Sequence, residues 1–219
     1  MIYRRLISAV GDVYQPTDAP ERRYGAAAVT TGARNAQAVE QWDSYIDAAG
    51  ILRALGCGHW SGDLIEFGCG YGTFTISAAQ RVSGTVHALD IDPLMVAATK
   101  WRVARLGLKN VVVEQRDFVA TGCGREPRSA SSALLFNILE IEDPVSLLKE
   151  AHRVLRSGGL VGVIHWNFDV RIANRPLLNI QLQPEQCRAW GEQAGLRWVR
   201  DAGLPLGSPR HWGMVLEKP

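Results

Sequence analysis

The sequence predicts an α/β fold: a doubly wound, mostly parallel sheet of seven strands, with an antiparallel hairpin at its C-terminal end and a helical cap at its N-terminal end. Three observations lead to this prediction. Apolar strand-like runs alternate with helical runs between residues 64 and 166, as a parallel sheet requires. A glycine-rich turn directly follows the first run. One more helical run and two strand-like runs occupy residues 184–217, which indicates a closing hairpin.

The chain is predicted to have two parts. Residues 1–57 precede the first strand and are expected to form the cap, and residues 58–219 are expected to form the domain that contains the sheet. Within the cap, the spacing of apolar residues predicts a helix over residues 35–55. Its aromatic residues Trp42 and Tyr45 either line a substrate pocket or pack the cap onto the sheet.

The first strand-helix-strand unit begins at residue 64. Residues 64–67 are typical of a buried strand, residues 68–72 of a turn, and residues 73–81 of a helix. A second strand is predicted over residues 85–89. Asp90 comes next, so its carboxylate is expected at the carboxyl edge of the sheet, beside the glycine turn.

The helix after Asp90 is predicted over residues 93–106, because Pro93 begins it and Gly107 ends it. Met95 and Trp101 are expected on its core face. The remaining predicted elements are a third strand over 111–116, a fourth over 133–138, a helix over 144–155, a glycine break at 158–159, a fifth strand over 160–166, a helix over 184–194, and two final strands over 196–200 and 212–217.

The spacing of the glycines separates two classes of nucleotide cofactor. A dinucleotide-binding turn of the G-x-G-x-x-G type would have its third glycine at position 73, where this chain has Thr73, and the glycines here follow G-x-G-x-G. Glu66 lies two residues before the first glycine, where its carboxylate would repel a pyrophosphate. A cationic ligand suits Glu66 and Asp90 better, which disfavours a nicotinamide-dependent oxidoreductase.

Four stretches of the sequence together carry a family resemblance. These stretches are EFGCGYG, ALDIDP, RDF and LLKEAHRVLRSGGLVGVIHW. Over about residues 60–217, the chain resembles class I S-adenosylmethionine-dependent methyltransferases. The resemblance implies a Rossmann-like methyltransferase fold, methyltransferase activity, and S-adenosyl-L-methionine as the cofactor.

The resemblance also implies roles for individual residues. Glu66 and the glycine turn would hold the methionine part of the cofactor, Asp90 the ribose, and Asp117 the adenine amine, with Phe118 beside the adenine face. The predicted cofactor-binding residues are Glu66, Gly68, Cys69, Gly70, Gly72, Asp90, Ile91, Asp117, Phe118 and Asn137.

Two residues near the ends of later strands are candidates for catalysis. His165 lies at the end of the fifth predicted strand, and Glu140 follows the fourth. An acceptor that must lose a proton is helped by a group with a pKa near neutrality, which histidine supplies. Glu140 is a candidate for orienting a cationic acceptor. Structural interpretations stay open for both: a satisfied histidine at a strand end, and an exposed carboxylate that caps a helix.

Composition narrows the range of partners. The net charge is +2 and no run of five like charges appears, so we expect no nucleic-acid partner. No apolar run approaches the length of a membrane span, and residues 1–10 are too short and too interrupted for a signal peptide. No membrane partner and a cytoplasmic location are therefore expected, and a homodimer stays open.

The four cysteines, at positions 57, 69, 123 and 187, show no C-x-x-C pair and no metal-ligand spacing. Free thiols and no metal site are therefore expected. An arsenite methyltransferase would need two or three of these thiols to converge in space, which the sequence leaves open.

The sequence predicts an enzyme that transfers a methyl group from S-adenosyl-L-methionine to a small-molecule acceptor. Two motifs of nucleic-acid methylases are missing: residues 137–140 read Asn-Ile-Leu-Glu instead of an Asn or Asp followed by Pro-Pro and an aromatic residue, and no Pro-Cys pair occurs. Two alternatives remain. In the first, the protein is an RNA or protein methyltransferase; in the second, it binds S-adenosylmethionine without catalysis.

Overall fold

A computed structural model gives the fold of this protein. The residues it describes are 46–57, 60–166, 182–205 and 211–219. Residues 1–45, with Trp42, Tyr45 and most of the predicted cap, lie outside the described residues. The division of the chain into a cap over 1–57 and a sheet domain over 58–219 therefore stays a prediction.

The described residues form one sheet of seven strands. The strands are β1 (Leu64–Phe67), β2 (Val86–Asp90), β3 (Val111–Gln115), β4 (Ala130–Phe136), β5 (Leu155–Trp166), β6 (Arg197–Asp201) and β7 (His211–Glu217). Their spatial order is β3-β2-β1-β4-β5-β7-β6. The first five strands run parallel, and β7 is antiparallel to both of its neighbours. The predicted fold class, with its antiparallel C-terminal hairpin, is confirmed.

Helices cover both faces of this sheet. Within the described ranges they are α1 (Ala48–Ala54), α2 (Thr73–Ala79), α3 (Pro93–Arg105), α4 (Phe118–Thr121), α5 (Pro144–Val154) and α6 (Pro184–Gln193). Apolar side chains of α1, α2 and α3 pack on one face, and those of α4, α5 and α6 pack on the other. None of these helices has the combined length and apolar character that a membrane crossing needs.

The strand order reverses beside β1. Strands β2 and β3 extend the sheet on one side of β1, and β4 and β5 extend it on the other. In open α/β sheets, ligands bind at such a switch point, outside the carboxyl ends of the strands. The glycine turn at residues 68–72 lies at this point, directly after β1.

Within its described part, the helix predicted over residues 35–55 is confirmed over Ala48–Ala54 and is wrong at residues 46 and 47. Helix α1 begins at Ala48, and Ile46 and Asp47 are not helical. The carboxylate of Asp47 accepts a hydrogen bond from the Gly50 amide at 2.8 Å and so caps the start of α1. Apolar spacing alone did not reveal this capping residue inside the predicted helix.

The predicted break at residues 158–159 is also wrong, because β5 begins at Leu155 and runs through it. The pairing with β4 shifts there: Ala130 pairs with Leu155 and Ser132 with Leu160. Gly158, with φ of 74°, lies in this irregular stretch. The glycine pair therefore permits a bulge within one strand.

Trp101 does not lie on the core face of α3 as predicted. Its side chain is 52% exposed, whereas Met95 is buried as expected. The buried face of α3 also includes Val96 and Thr99, and Trp101 falls on the opposite side of the helix. The Arg105 guanidinium lies 5.0 Å from the centre of the Trp101 ring, a contact that is favourable at the surface.

The other predicted elements differ from the structure by at most three residues at an end. The largest difference is at β4, which begins at Ala130 and includes two serines that precede the predicted start at residue 133. Ser131 donates to the Asp63 carbonyl oxygen through its amide at 2.9 Å and its hydroxyl at 3.0 Å. Pairing with the residues before β1 therefore extends the strand beyond its apolar part.

Candidate cofactor and acceptor site

The turn after β1 contains three glycines in the left-handed region of the backbone. The φ angles of Gly68, Gly70 and Gly72 are 81°, 52° and 79°, which glycine adopts at little cost. The amides of Gly68 and Cys69 both donate to the Leu89 carbonyl oxygen, at 2.8 and 2.9 Å. The G-x-G-x-G spacing therefore produces a compact turn that is fastened to the end of β2.

Asp90, the last residue of β2, is fully buried beside this turn. Its Oδ2 accepts a hydrogen bond from the Gly70 amide at 2.8 Å, and its Oδ1 accepts one from the Asp92 amide at 3.0 Å. Burial raises the pKa of the Asp90 carboxyl, although these hydrogen bonds act in the opposite direction. Each carboxylate oxygen has a further lone pair, so Asp90 is able to accept from ribose hydroxyls as well.

Glu66 of β1 lies on the same face of the sheet as Asp90 and is 3% exposed. The Thr75 hydroxyl, on α2, donates to Oε2 of Glu66 at 2.5 Å. Burial raises the pKa of the Glu66 carboxyl to about 8, and the nearby Asp90 carboxylate acts in the same direction. Among the described residues, no basic side chain forms an ion pair with Glu66. This environment suits a cationic ligand, which would favour the charged carboxylate.

The residues predicted around the adenine lie at the carboxyl end of β3. Asp117 is exposed and caps α4 by accepting a hydrogen bond from the Ala120 amide at 3.0 Å. The Phe118 ring is buried and packs edge-to-face on Phe67, with 5.4 Å between the ring centres. Ile91 is an exposed apolar side chain that follows Asp90 directly. At this edge, Ile91 therefore offers more accessible apolar surface than Phe118.

Asn137 follows β4 and has an unusual backbone. Its φ angle is 54°, in the left-handed region that few residues other than glycine adopt. Its amide donates to the Ile164 carbonyl oxygen at 2.9 Å, and its Nδ2 lies 3.5 Å from Nε2 of His211. Asn137 thus links the ends of β4, β5 and β7 at the carboxyl edge.

His165 and Glu140 come together at this edge. Nε2 of His165 lies 3.8 Å from Oε1 of Glu140, and the two side chains are 1% and 9% exposed. The His165 ring stacks on Trp212, with 5.8 Å between the ring centres. Because β5 pairs with β4, which pairs with β1, this buried pair lies two strands from the glycine turn. The exposed helix-cap interpretation of Glu140 is wrong, since Asp143 caps α5.

Several contacts of the site join residues that are far apart in the sequence. Thr75 contacts Glu66, and the Thr99 hydroxyl donates to the Gly70 carbonyl oxygen at 2.8 Å. Trp212 stacks on His165 because β7 pairs with β5. No local motif marks these residues in the sequence. The position of a threonine on the core face of the helix predicted over residues 93–106 is the one sequence signal that could have indicated Thr99.

No three of the four cysteines form a metal-binding cluster in the described residues. Cys57, Cys69, Cys123 and Cys187 are free and buried, and no group of three His, Cys, Asp or Glu side chains in the described residues is arranged to hold a metal ion. Burial raises the pKa of all four thiols, to about 11 for Cys123 and about 12 for Cys57 and Cys187.

A comparison with known families decides the identity of the domain. Residues 64–159 match the family model described as "Methyltransferase domain". The chain carries a class I S-adenosylmethionine-dependent methyltransferase domain. S-adenosyl-L-methionine is therefore the cofactor of this methyltransferase, and the buried acidic residues beside its glycine turn suit the positive charges of that cofactor. A search of curated protein sequences gives no significant match.

Solved structures share the fold of the methyltransferase. It is similar to an S-adenosylmethionine-dependent methyltransferase from Aquifex aeolicus, with a TM-score of 0.68 and 20% identity over 84% of this chain and 98% of that one. It is also similar to mitomycin 7-O-methyltransferase MmcR, with a TM-score of 0.63 and 17% identity over 87% and 60% of the two chains. A third similar structure is the [4+2]-cyclase SpnF, with a TM-score of 0.58 and 17% identity over 72% and 75%.

Proposed function

We propose that this methyltransferase acts on a small-molecule acceptor, which binds over the carboxyl ends of β4 and β5. The observation that carries the proposal is the buried pair of His165 and Glu140 at that edge. An acceptor group that reaches these side chains must leave water. A small molecule enters such a site more readily than a folded macromolecule presents one of its groups there.

The proposed cofactor contacts follow from the turn and the two strands beside it. Glu66 would hold the ammonium group, Asp90 the ribose hydroxyls, and Asp117 the adenine amine, with Ile91 and Phe118 on the apolar side of the adenine. The backbone of residues 68–72, with Cys69, would contact the methionine part, and Asn137 would contact it from β4. When bound, S-adenosylmethionine supplies a methyl group that its sulfonium has already activated.

The protein's own contribution to the reaction is alignment, exclusion of water and movement of one proton. In-line displacement at the methyl carbon, in which the acceptor atom forms its bond as the bond from carbon to sulfur breaks, needs the acceptor atom held close to the methyl group in a dry site. In this proposal, His165 accepts the proton that the acceptor loses, and the Glu140 carboxylate stabilises the resulting imidazolium. The distance of 3.8 Å between His165 Nε2 and Glu140 Oε1 allows this charge interaction.

The fold alone does not identify the reaction. A [4+2]-cyclase shares this fold, so the fold does not by itself require methyl transfer. The labelling experiment described next separates the non-catalytic alternative from the proposed activity.

The test is transfer of label from S-adenosylmethionine with a tritiated methyl group. The protein is incubated with a cell extract that has been separated into small-molecule, RNA and protein fractions. We expect label in the small-molecule fraction, and at least a tenfold lower rate for Asp90→Asn. Label in RNA or protein would contradict the proposal and support the macromolecular alternative. Cofactor binding without transfer to any fraction would support the non-catalytic one.

The role of His165 is tested once an acceptor is available. His165→Gln should lower kcat by roughly 100-fold or more, the usual contribution of a general base, and should remove the lower limb of the pH profile. An unchanged pH profile would leave His165 with a structural role.

A further inference from the structure

The glycine turn forms hydrogen bonds with α3 as well as with β2. Thr99 of α3 is fully buried, and its hydroxyl donates to the Gly70 carbonyl oxygen at 2.8 Å. The amide of the same glycine donates to Asp90 at 2.8 Å. Both polar groups of Gly70 are therefore held by side chains that come from different elements.

Thr99 also fills the space beside the third glycine. A Cβ atom at Gly72 would lie 2.8 Å from the Thr99 methyl carbon and 2.9 Å from its hydroxyl oxygen. These distances are shorter than any real contact of a Cβ atom. Gly72 is thus required both for its left-handed backbone and for the close approach of Thr99.

One helical turn further along α3, a second side chain supports the same turn. The Arg102 guanidinium donates through Nη1 to the Tyr71 carbonyl oxygen at 2.8 Å. Residues three apart on a helix lie on the same face. Thr99 and Arg102 therefore hold two successive carbonyl groups, those of Gly70 and Tyr71, toward α3.

We propose that Thr99 is a positioning residue for the cofactor, and that its hydroxyl holds the glycine turn in the conformation that receives the methionine part of S-adenosylmethionine. This inference rests on the cofactor contacts proposed above. A turn that is already ordered loses less conformational freedom when the ligand binds, so the ligand binds more tightly. Thr99 achieves this without touching the cofactor, through Gly70 and Gly72.

The test compares Thr99→Val, which keeps the shape and removes the hydroxyl, with Thr99→Ser, which keeps the hydroxyl. Binding of S-adenosylhomocysteine is measured by titration calorimetry on the full chain. We expect Thr99→Val to raise the Kd roughly tenfold, as the loss of one net hydrogen bond would. Thr99→Ser should stay within about threefold of the unchanged protein. If Thr99→Val does not fold, Thr99→Ala replaces it, with the same expected result.

A second ligand separates positioning from a general loss of structure. 5′-Methylthioadenosine keeps the adenosine part but lacks the amino-acid part that would face the turn. Its Kd should change by no more than about threefold in Thr99→Val, because the hydroxyl acts on the turn. Equal weakening of both ligands, or Thr99→Ser as weak as Thr99→Val, would overturn the inference.

Asp90→Asn distinguishes failure of this inference from failure of the proposed site. If Asp90→Asn binds S-adenosylhomocysteine as tightly as the unchanged protein, the proposed cofactor contacts are wrong and the inference falls with them. If Asp90→Asn binds weakly while Thr99→Val binds normally, the site stands and Thr99 has no positioning role.

Discussion

At the scale of single residues, Glu66 couples cofactor binding to pH. Its pKa of about 8 in the folded protein lies above the ordinary value near 4.3, because burial disfavours the charge. At neutral pH, most of the free protein therefore carries a protonated Glu66. An ammonium group bound beside it would favour the carboxylate, so binding would release a proton.

We predict that wild-type affinity for S-adenosylmethionine increases as the pH is raised from 6 to 7.5, because less of Glu66 must be deprotonated on binding. Glu66→Gln should bind more weakly and lose this pH dependence, since glutamine does not titrate. Titration calorimetry at three pH values measures both effects. Glu142→Gln, at an exposed glutamate, is the control and should retain the wild-type behaviour. A wild-type affinity that is independent of pH would contradict the prediction.

The same residue affects the stability of the ligand-free protein. Between pH 4.3 and 8, the folded state holds a proton on Glu66 that the unfolded state has released. The free energy of unfolding therefore falls as the pH rises through this window. Glu66→Gln removes this contribution, so its stability should depend less on pH.

Local sequence patterns predicted only part of this site. Glu66, the glycines and Asp90 lie within 25 residues of one another, and their order along one strand-turn-helix-strand unit fixes where they meet. Thr75 and Thr99 contribute through hydrogen bonds to that unit, and nothing in their immediate neighbours distinguishes them from core threonines. Phe118 is a predicted cofactor contact, and local sequence did not show that its ring also packs on Phe67 in the core.

At the scale of elements, α5 is joined to the loop before β4 by a charged network. The Glu150 carboxylate accepts hydrogen bonds from the Cys123 amide and from Arg153 Nε, both at 2.7 Å. Arg153 Nη2 donates to the Arg125 carbonyl oxygen at 2.7 Å. Burial acts to raise the pKa of the Glu150 carboxyl, but the hydrogen bonds from Arg153 and Cys123 outweigh it and the pKa lies below its ordinary value.

We predict that Glu150→Ala lowers the free energy of unfolding by roughly 2 kcal/mol at pH 7, because it leaves a guanidinium and a buried amide without their acceptor. The effect should shrink as the pH falls below the ordinary glutamate value, since a lowered pKa stabilises the fold only while the carboxylate is charged. Urea unfolding measures both. Glu192→Ala, at an exposed glutamate of α6, should change stability by less than about 0.5 kcal/mol. Equal effects of the two substitutions would show that the network contributes nothing.

The starts of three helices were predicted correctly because a proline marks each of them. Pro93, Pro144 and Pro184 each begin the helix that the sequence predicted. Strand β5 instead continues through the glycine pair, where the Gly158 amide donates to the Lys218 carbonyl oxygen at 2.8 Å and the Lys218 amide donates to that of Gly159 at 2.9 Å. Such pairing depends on residues distant in the sequence, so a local pattern does not contain it.

At the scale of the whole molecule, the alternation of strands and helices was enough to predict the sheet. Seven strands in the order β3-β2-β1-β4-β5-β7-β6 bring the residues after β1, β2, β3 and β4 to one edge. The strand ends share this edge because the strands are parallel. The candidate residues therefore meet there although they are spread over residues 66–165. The identity of the acceptor is a property of side chains around that edge, which topology does not specify.

The most direct test of the account is the thermal unfolding midpoint with S-adenosylmethionine, S-adenosylhomocysteine and NADH in parallel. Each adenosyl ligand, at 100 times its Kd, should add about 2.7 kcal/mol to the stability and raise the midpoint by roughly 5–11 °C. Asp90→Asn should abolish most of this rise, and NADH should leave the midpoint unchanged. A rise with NADH alone, or adenosyl-ligand rises that persist in Asp90→Asn, would contradict the proposed site.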